Sequence, residues 1–420
     1  MDIAASFERF RSGFSRTFWI ANTLELFERL AFYGSKAVLA VYLVEKVGLG
    51  ALGNTLVGLY GFAVFFLPIL AGTLVDRYGF RKSLAACFFI FTLGYFSVGL
   101  AGLPQGQSIV QAVGSVPYVI GALLLTAIGG SLIKPCIVGT VARTTTQETK
   151  SLGYSIYYTL VNLGGALGPL LALQVREGMG IEYVLIMSAT VSLLNLAATL
   201  LFFREPREVG EAGSQRTLVK VFADMVVVFG NFRFMSFLVV FSGFWVMFWQ
   251  IFYSLPFFVR DVLNFSRFEL IETVDAWSII VLTVPVAALM KKVRPIVAMT
   301  LGFAVASASW LAIAAVPSVP VLVAAIACFA VGESMQAPRF YEYVADLAPR
   351  EQVGTFMGFA FLPVAIGALV AGPLSGWLVQ HYLHGAVRPS GMWVILSAIG
   401  FSSTLLMVLH DRLAHGRKVA

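Results

Sequence analysis

The first long apolar stretch of the chain carries an unusual load of charge. It reads Leu24-Glu25-Leu26-Phe27-Glu28-Arg29-Leu30-Ala31-Phe32-Tyr33-Gly34-Ser35-Lys36, with four ionisable groups among hydrophobic residues. At about 100° per residue, Glu25, Glu28, Arg29, Phe32 and Lys36 fall on one stripe about 100° wide and about 16 Å long. Two acids one turn apart beside a base can trade a cationic partner for a proton, because burial and a neighbouring cation act on a carboxyl in opposite senses. Later stretches add Lys134 in Ile133-Lys134-Pro135 and Glu333 in Gly332-Glu333-Ser334-Met335-Gln336-Ala337-Pro338, each followed by a proline. Tyr157, Tyr158 and Asn162, and then Trp245, Trp249 and Gln250, supply polar and aromatic linings. Asp275, near the end of another apolar run, reads as a solvated end residue.

Elements that hold such groups must be helices in lipid. Of 420 residues 59% are hydrophobic, mean hydropathy is +0.85 and 12% are charged, about half the roughly 25% of a soluble domain. A soluble fold is excluded. Apolar runs at about 17–45, 53–75, 83–103, 114–141, 151–174, 181–203, 233–258, 269–290, 294–317, 319–347, 353–377 and 390–411 each suffice for the ~20 residues that cross a bilayer. In lipid the backbone must satisfy its own hydrogen bonds, so runs of this length are helices. A charge at membrane depth costs about 2.5 to 3.5 kcal/mol, which implies a polar interior shared by several helices.

With both termini inside, the inner segments hold 20 Lys and Arg and the outer loops hold five, Lys46, Arg176, Arg260, Arg267 and Arg388. That asymmetry orients the chain. The net charge of +7 is then a topology signal, and no nucleic-acid partner is expected. The longest polar connection follows the sixth run and contains Glu-Pro-Arg-Glu and Gly-Glu-Ala-Gly, which divides the chain into 1–203, a cytoplasmic linker 204–232, and 233–420. Part of that linker, 217–228, reads either as an amphipathic helix on the inner leaflet or as a plain connection. Gly165-Ala-Leu-Gly-Pro169 and Gly367-Ala-Leu-Val-Ala-Gly-Pro373 sit at corresponding places in the two halves, an echo that duplicated halves would leave.

Several chemistries are absent from the sequence. Cys87, Cys136 and Cys328 lie in apolar stretches and read as packing residues. Gly48-Leu-Gly-Ala-Leu-Gly53 fits GxGxxG but follows a helix with no strand before it. No HExxH, Walker sequence or nucleophile elbow occurs, and four histidines are too few and peripheral for a metal site. Neither an enzyme nor a metal or cofactor is expected. The first 16 residues lack the pattern of a cleaved signal peptide, so the first span is expected to be retained.

After the second run comes Gly72-Thr-Leu-Val-Asp76-Arg77-Tyr-Gly79-Phe-Arg81-Lys82. It resembles the loop 2/3 signature of the major facilitator superfamily, and the resemblance implies that Gly72, Asp76, Arg77, Gly79, Arg81 and Lys82 act in conformational change. Glu25-x-x-Glu28-Arg29 with Phe32-Tyr33-Gly34, Ile133-Lys134-Pro135, Tyr157-Tyr158-x3-Asn162, Phe244-Trp245, Gln250, Gly332-Glu333 and Leu347-Ala-Pro349, in that order, resemble the proton-dependent oligopeptide transporter family. By that resemblance Glu25, Glu28, Arg29 and Lys134 form the proton-coupling set, with Lys134 bridging to the acids. Phe32, Tyr33, Lys36, Phe65, Tyr158, Asn162, Trp245, Gln250 and Glu333 form the substrate set, Lys36 holding a carboxylate where the family has Arg and Glu333 facing an amine. Departures from the pattern are Phe32 in place of a tyrosine, Phe65 for another aromatic, Trp249 for an acid on span seven, Ala360 for a tryptophan, and Ala337 for the serine before Pro338.

The expectation is an all-α membrane protein of 12 transmembrane helices in two six-helix bundles. The resemblance implies a proton-coupled symporter of small peptides or peptide-like zwitterions, working by alternating access, and the expected location is the cell (inner) membrane with both termini cytoplasmic. Its partners are a small-molecule substrate, protons and the lipid bilayer, and the proton gradient supplies the energy. The alternative is a major facilitator transporter of a non-peptide solute or drug.

Overall fold

The computed structural model describes residues 13–146, 148–206, 217–349, 352–385 and 388–416. The Gly-Glu-Ala-Gly motif of the linker and the very start of the chain lie outside these residues. In chain order the helices are α1 (Arg16–Val41), α2 (Ala51–Phe66), α3 (Pro68–Tyr78), α4 (Phe80–Leu100), α5 (Gln107–Val113), α6 (Ser115–Thr144), α7 (Lys150–Gly178), α8 (Glu182–Phe202), α9 (Leu218–Gly230), α10 (Phe232–Tyr253), α11 (Leu255–Asp261), α12 (Phe268–Met290), α13 (Pro295–Ala315), α14 (Val319–Leu347), α15 (Val353–Gly358), α16 (Leu362–Leu378) and α17 (Gly391–Gly416). Single π-turns extend α1 over Tyr42–Lys46 and α16 over Val379–Leu383.

Ten helical segments among the described residues are long and apolar enough to cross a membrane, and an eleventh forms if α2 and α3, bent by 44°, count as one. The break falls where Leu67 meets Pro68, whose ring removes a backbone donor. The other internal prolines, Pro135, Pro169, Pro285, Pro338 and Pro373, sit inside helices that continue past them. Helix α1 has the length of a span, at 26 residues, but carries charge through its middle. Of the two readings of 217–228, helix or plain connection, the structure has the helix, as α9.

Cα proximity gathers the chain into two units, Met1–Ser35 with Leu67–Val221, and Lys36–Phe66 with Phe222–Ala420. The division cuts α1 between Ser35 and Lys36. By contact, the stretch 36–66 therefore groups with the later helices, although it precedes residue 203 in chain order. In the first unit α4 packs on α6 and α8, and α3 on α6. In the second unit α2 and α10 pack on α16, α13 packs on α14 and α17, and α12 packs on α14. Small residues set the closest approaches. A Cβ on Gly168 of α7 would stand 2.9 Å from the Gly34 nitrogen of α1, and one on Gly372 of α16 would stand 2.7 Å from the Gly58 Cα of α2. Both lie in or beside the Gly-Ala-Pro echo of the sequence, so the echo marks backbone contacts between helices. Cys87 and Cys136 are buried as expected, whereas Cys328 is exposed and is no packing residue.

Candidate functional site

The first unit brings the proton-coupling set together. Glu25 and Glu28 are one turn apart on α1 and fully or almost fully buried, with Arg29 6% exposed beside them. Lys134 of α6 reaches across, its Nζ 3.1 Å from Glu25 Oε1, and donates to the Tyr157 hydroxyl of α7 at 2.7 Å. That hydroxyl donates in turn to Glu25 Oε1 at 3.4 Å. Arg29 Nε is bonded to Glu28 Oε2 and stands 3.6 Å from Glu25 Oε1. Two carboxylates thus meet two cations. Glu25 Oε2 and Glu28 Oε1 are buried without hydrogen-bond partners among the described residues, so each acid keeps one open position.

Local packing explains why α1 can carry this charge. Gly164 of α7 lies where a Cβ would stand 2.4 Å from Arg29 Cβ, which lets the two helices touch at the cluster. Helix α8 grips the α1 backbone on either side, with Ser188 Oγ donating to the Ala31 carbonyl at 2.9 Å and Asn195 Nδ2 to the Leu24 carbonyl at 3.1 Å. Phe32 is buried with the Arg29 guanidinium 4.7 Å from its ring centre, and packs edge-on to Tyr33.

Tyr157, named in the sequence only as a lining residue, is a member of the charge cluster. Tyr158 and Asn162 lie apart from that network. Tyr158 is 49% exposed, and the Asn162 amide donates to the Tyr158 carbonyl at 2.9 Å within α7. Nothing in residue type separates two adjacent tyrosines; the rotation of α7 does.

The second unit holds Lys36, buried at 6% exposure. Its Nζ lies 3.6 Å from the ring centre of Phe252, 4.1 Å from that of Trp249 and 5.1 Å from that of Phe248. Three rings of α10 thus hold the ammonium by cation–π attraction. Phe65 packs against Trp249 with ring centres 5.6 Å apart, and Trp249 is fixed by its Nε1–H donating to the Val364 carbonyl at 3.1 Å. The aromatic at the position of the family's acid is therefore part of the lysine cage.

Glu333 on α14 and Asp275 on α12 belong to the same unit as Lys36, and α12 packs on α14. Glu333 Oε2 and Asp275 Oδ1 are buried with no hydrogen-bond partner among the described residues. Asp275 is only 7% exposed, which corrects its reading as a solvated end residue: α12 starts at Phe268, so Asp275 lies two turns in, facing protein. Gln250 is fully buried and committed to structure, donating to the Ala371 carbonyl at 3.2 Å and accepting from Ser254. Trp245 packs edge-on to Phe244 and Phe248.

The segment joining α3 to α4 shows a residue the sequence reading missed. Gly79 has φ +82, a conformation that favours glycine, and a Cβ there would meet Glu205 Oε1 at 2.9 Å. That carboxylate accepts from the backbone N–H groups of Phe80 at 2.7 Å and Arg81 at 2.9 Å, capping the α4 N-terminus. Arg81 in turn donates to the Leu200 carbonyl at 2.6 Å. Gly72 lies within α3, and Asp76, Arg77 and Lys82 are exposed, with Arg77 against the Tyr78 ring. An acid directly before Pro206, at the end of a span, was the available signal for Glu205.

A helical membrane-type fold with charge clusters buried in its helices defines a transporter-like class, and the sequence profile of the Major Facilitator Superfamily matches residues 24–306 and 268–419. The chain belongs to that superfamily. Multidrug resistance protein MdtH of Salmonella newport (strain SL254) is 23% identical over 381 residues, covering 90% of both chains, and that of Salmonella typhi matches equally. Among solved structures, a POT family transporter in complex with a thioalcohol-conjugated peptide superposes with TM-score 0.77 at 16% identity, covering 94% of this chain and 96% of that one. A POT family transporter in complex with 5-aminolevulinic acid gives the same values. Peptide transporter POT with sulfate gives TM-score 0.75 at 19% identity, over 95% of this chain and 94% of the other. These likenesses establish the fold.

Proposed function

We propose that this chain is a proton-coupled symporter of small peptides or peptide-like zwitterions, of the proton-dependent oligopeptide transporter type, working by alternating access. The observation that carries the reading is a pair of separate ionisable clusters buried in the helices, one in each unit. A lipid-embedded scaffold has no use for groups that cost several kcal/mol each to bury, whereas a carrier of protons and charged solutes requires them. In the first cluster Glu25 and Glu28 exchange the cations Arg29 and Lys134 for protons. In the second, Lys36 takes the substrate carboxylate and Glu333 its amine, with Trp245 and Phe65 shaping the space. Phe32 supports Arg29, and Gln250 acts by tying α10 to α16. Tyr33, Tyr158 and Asn162 are substrate residues by the family resemblance alone. Gly72, Asp76, Arg77, Gly79, Arg81 and Lys82 serve the change of state, with Glu205 anchoring the start of α4. No cofactor takes part.

Helix α1 is the twelfth span, giving two six-helix bundles, 1–203 and 233–420, joined by the 204–232 linker, in the inner membrane with both termini cytoplasmic. In a variant lacking native cysteines, single cysteines at Gln105 and Lys292 test this: outside-only labelling of the first and inside-only labelling of the second is the expected result, and the reverse overturns the topology. Uptake by proteoliposomes under an imposed inward proton gradient, with peptides, amino acids and drugs as competitors, tests the function. Concentrative uptake of a zwitterion, competed by peptides, is expected; a neutral or lipophilic solute competing alone overturns it. The second reading, transport of a drug-like solute, has in its favour the cage of Phe248, Trp249 and Phe252 and the relatives named for multidrug resistance.

A further inference from the structure

A cavity of about 480 Å³ lies in the first unit, where α1 begins and α6 and α8 end. Helices α6 and α8 are two of the ten apolar spans, so the cavity sits at the edge of the hydrocarbon, on the face proposed as cytoplasmic. Each of the three helix ends brings an arginine to its wall: Arg16 at the start of α1, Arg143 in the last turn of α6 and Arg204 just past α8. Arginine stays charged at any physiological pH. Arg16 and Arg204 are exposed, whereas Arg143 lies with its guanidinium carbon 4.8 Å from the Phe80 ring centre and is engaged elsewhere as well.

The negative groups nearby are already answered. Glu205, the acid among the described lining residues, accepts from the backbone N–H groups of Phe80 and Arg81. A helix C-terminus is a negative pole that would repel an anion, but here carbonyls of both last turns are covered. The hydroxyls of Thr144 and Thr145 donate to the Thr140 and Val141 carbonyls of α6 at 2.7 and 2.8 Å, and Arg81 donates to the Leu200 carbonyl of α8 at 2.6 Å. Three arginines against one committed carboxylate leave the described wall cationic. The approach along α8 is apolar: Phe202 forms part of the wall, and Leu193, Leu194, Leu200 and Leu201 are exposed on the turns that lead to it.

A basic cavity between spans at a membrane boundary suits an anionic lipid headgroup. Guanidinium groups pair with phosphate oxygens through two parallel hydrogen bonds, and the leucines of α8 offer a bed for an acyl chain. A soluble phosphate would use the arginines and leave the leucines idle. We infer that this cavity binds one anionic phospholipid of the phosphatidylglycerol class, its phosphate held by Arg16, Arg143 and Arg204 and an acyl chain laid along α8. The lipid thereby ties together three helix ends of the first unit. Neither the transported substrate nor the proton-coupling set enters the inference.

Thermal unfolding of the purified full-length protein in detergent tests it as dihexanoyl phosphatidylglycerol is added, since a ligand that binds only the folded chain raises the midpoint by mass action. A saturable rise is expected with this lipid, and none at the same concentrations of dihexanoyl phosphatidylcholine, glycerol 3-phosphate or inorganic phosphate. The double variant Arg16→Gln with Arg204→Gln should bind about 30-fold more weakly, as expected for two basic side chains lost beside an anionic headgroup. Lys291→Gln with Lys292→Gln removes the same charge from the α12–α13 connection, outside the cavity wall, and should leave the affinity unchanged. Arg16→Lys with Arg204→Lys keeps both charges and should recover part of the affinity, which a misfolded chain would not. No saturable rise with phosphatidylglycerol, or an equal rise with phosphatidylcholine, overturns the site. An equal rise with either soluble phosphate overturns a lipid as the occupant. Equal losses in the two glutamine variants reduce the effect to general surface charge and overturn the site, as does a lysine pair that binds no better than the glutamine pair.

Discussion

The cluster around Glu25 and the cluster around Lys36 use similar residues to opposite effect. The first is neutral by composition and knitted by short contacts: Lys134 to Glu25 and Tyr157, Arg29 to Glu28. The second is richer in acid among the described residues: its lysine is held by three aromatic faces, and Glu272, Asp275 and Glu333 each bury a carboxylate oxygen in the same unit. A balanced network is damaged by removing any one member, because a charge is left buried alone. An acid-rich network loses little when one acid is neutralised. Charge count, more than the presence of charge, decides how well each cluster tolerates the loss of one member.

Stability gives the sharpest contrast between them. Arg29→Met strands Glu28 and should lower stability by about 3–5 kcal/mol, whereas Asp275→Asn should leave it within about 1 kcal/mol of the wild type or raise it. Thermal unfolding in detergent measures both, and equal losses would erase the distinction. Next in size is Glu28→Gln, which should reduce gradient-driven uptake at least about tenfold, a barrier change of about 1.4 kcal/mol, while counterflow persists. Unchanged concentrative uptake would make the first cluster purely structural.

Smaller effects probe the second cluster. Lys36→Ala should weaken uptake of an acid roughly tenfold more than that of its amide, as expected for loss of one charge-assisted contact. Glu333→Ala should do the converse for amines against their N-acetylated analogues. If neither variant discriminates, the substrate is not held by these two charges. The smallest effect is expected at Glu205, which lies in the first unit but outside its buried cluster. Glu205→Ala removes an exposed helix cap and should cost about 1 kcal/mol or less, again read by thermal unfolding. A loss as large as that of Arg29→Met would mean that the carboxylate does more than cap α4.

Much of the first cluster was legible because one helix carries most of it. The 3.6-residue repeat puts Glu25, Glu28 and Arg29 on one face whatever surrounds them, and Lys134 stood out as a charge in an apolar run. The Tyr157 hydroxyl was not legible, since only the packing of α7 on α1 distinguishes it from Tyr158. In the second cluster, Lys36 and Glu333 were visible as isolated charges, but Asp275 looked like a helix end and Gln250 like a pocket residue. Which side of α12 is covered, and whether a glutamine amide is already spent on the Ala371 carbonyl, depend on neighbours far away in sequence.

The sequence by itself determined that this chain is helical and membrane-embedded, because 59% hydrophobic residues in runs of about twenty have no other way to satisfy their backbones in lipid. It also determined that charge lies inside those helices. The tertiary structure alone decided how that charge is shared: that Lys36 belongs to the unit of Asp275 and Glu333 while Glu25, 11 residues earlier on the same helix, is held by Lys134 and Tyr157. The reason is physical. Period and hydropathy are local properties, whereas the count of counter-charges around a buried carboxyl is set by helices that meet only when the chain has packed.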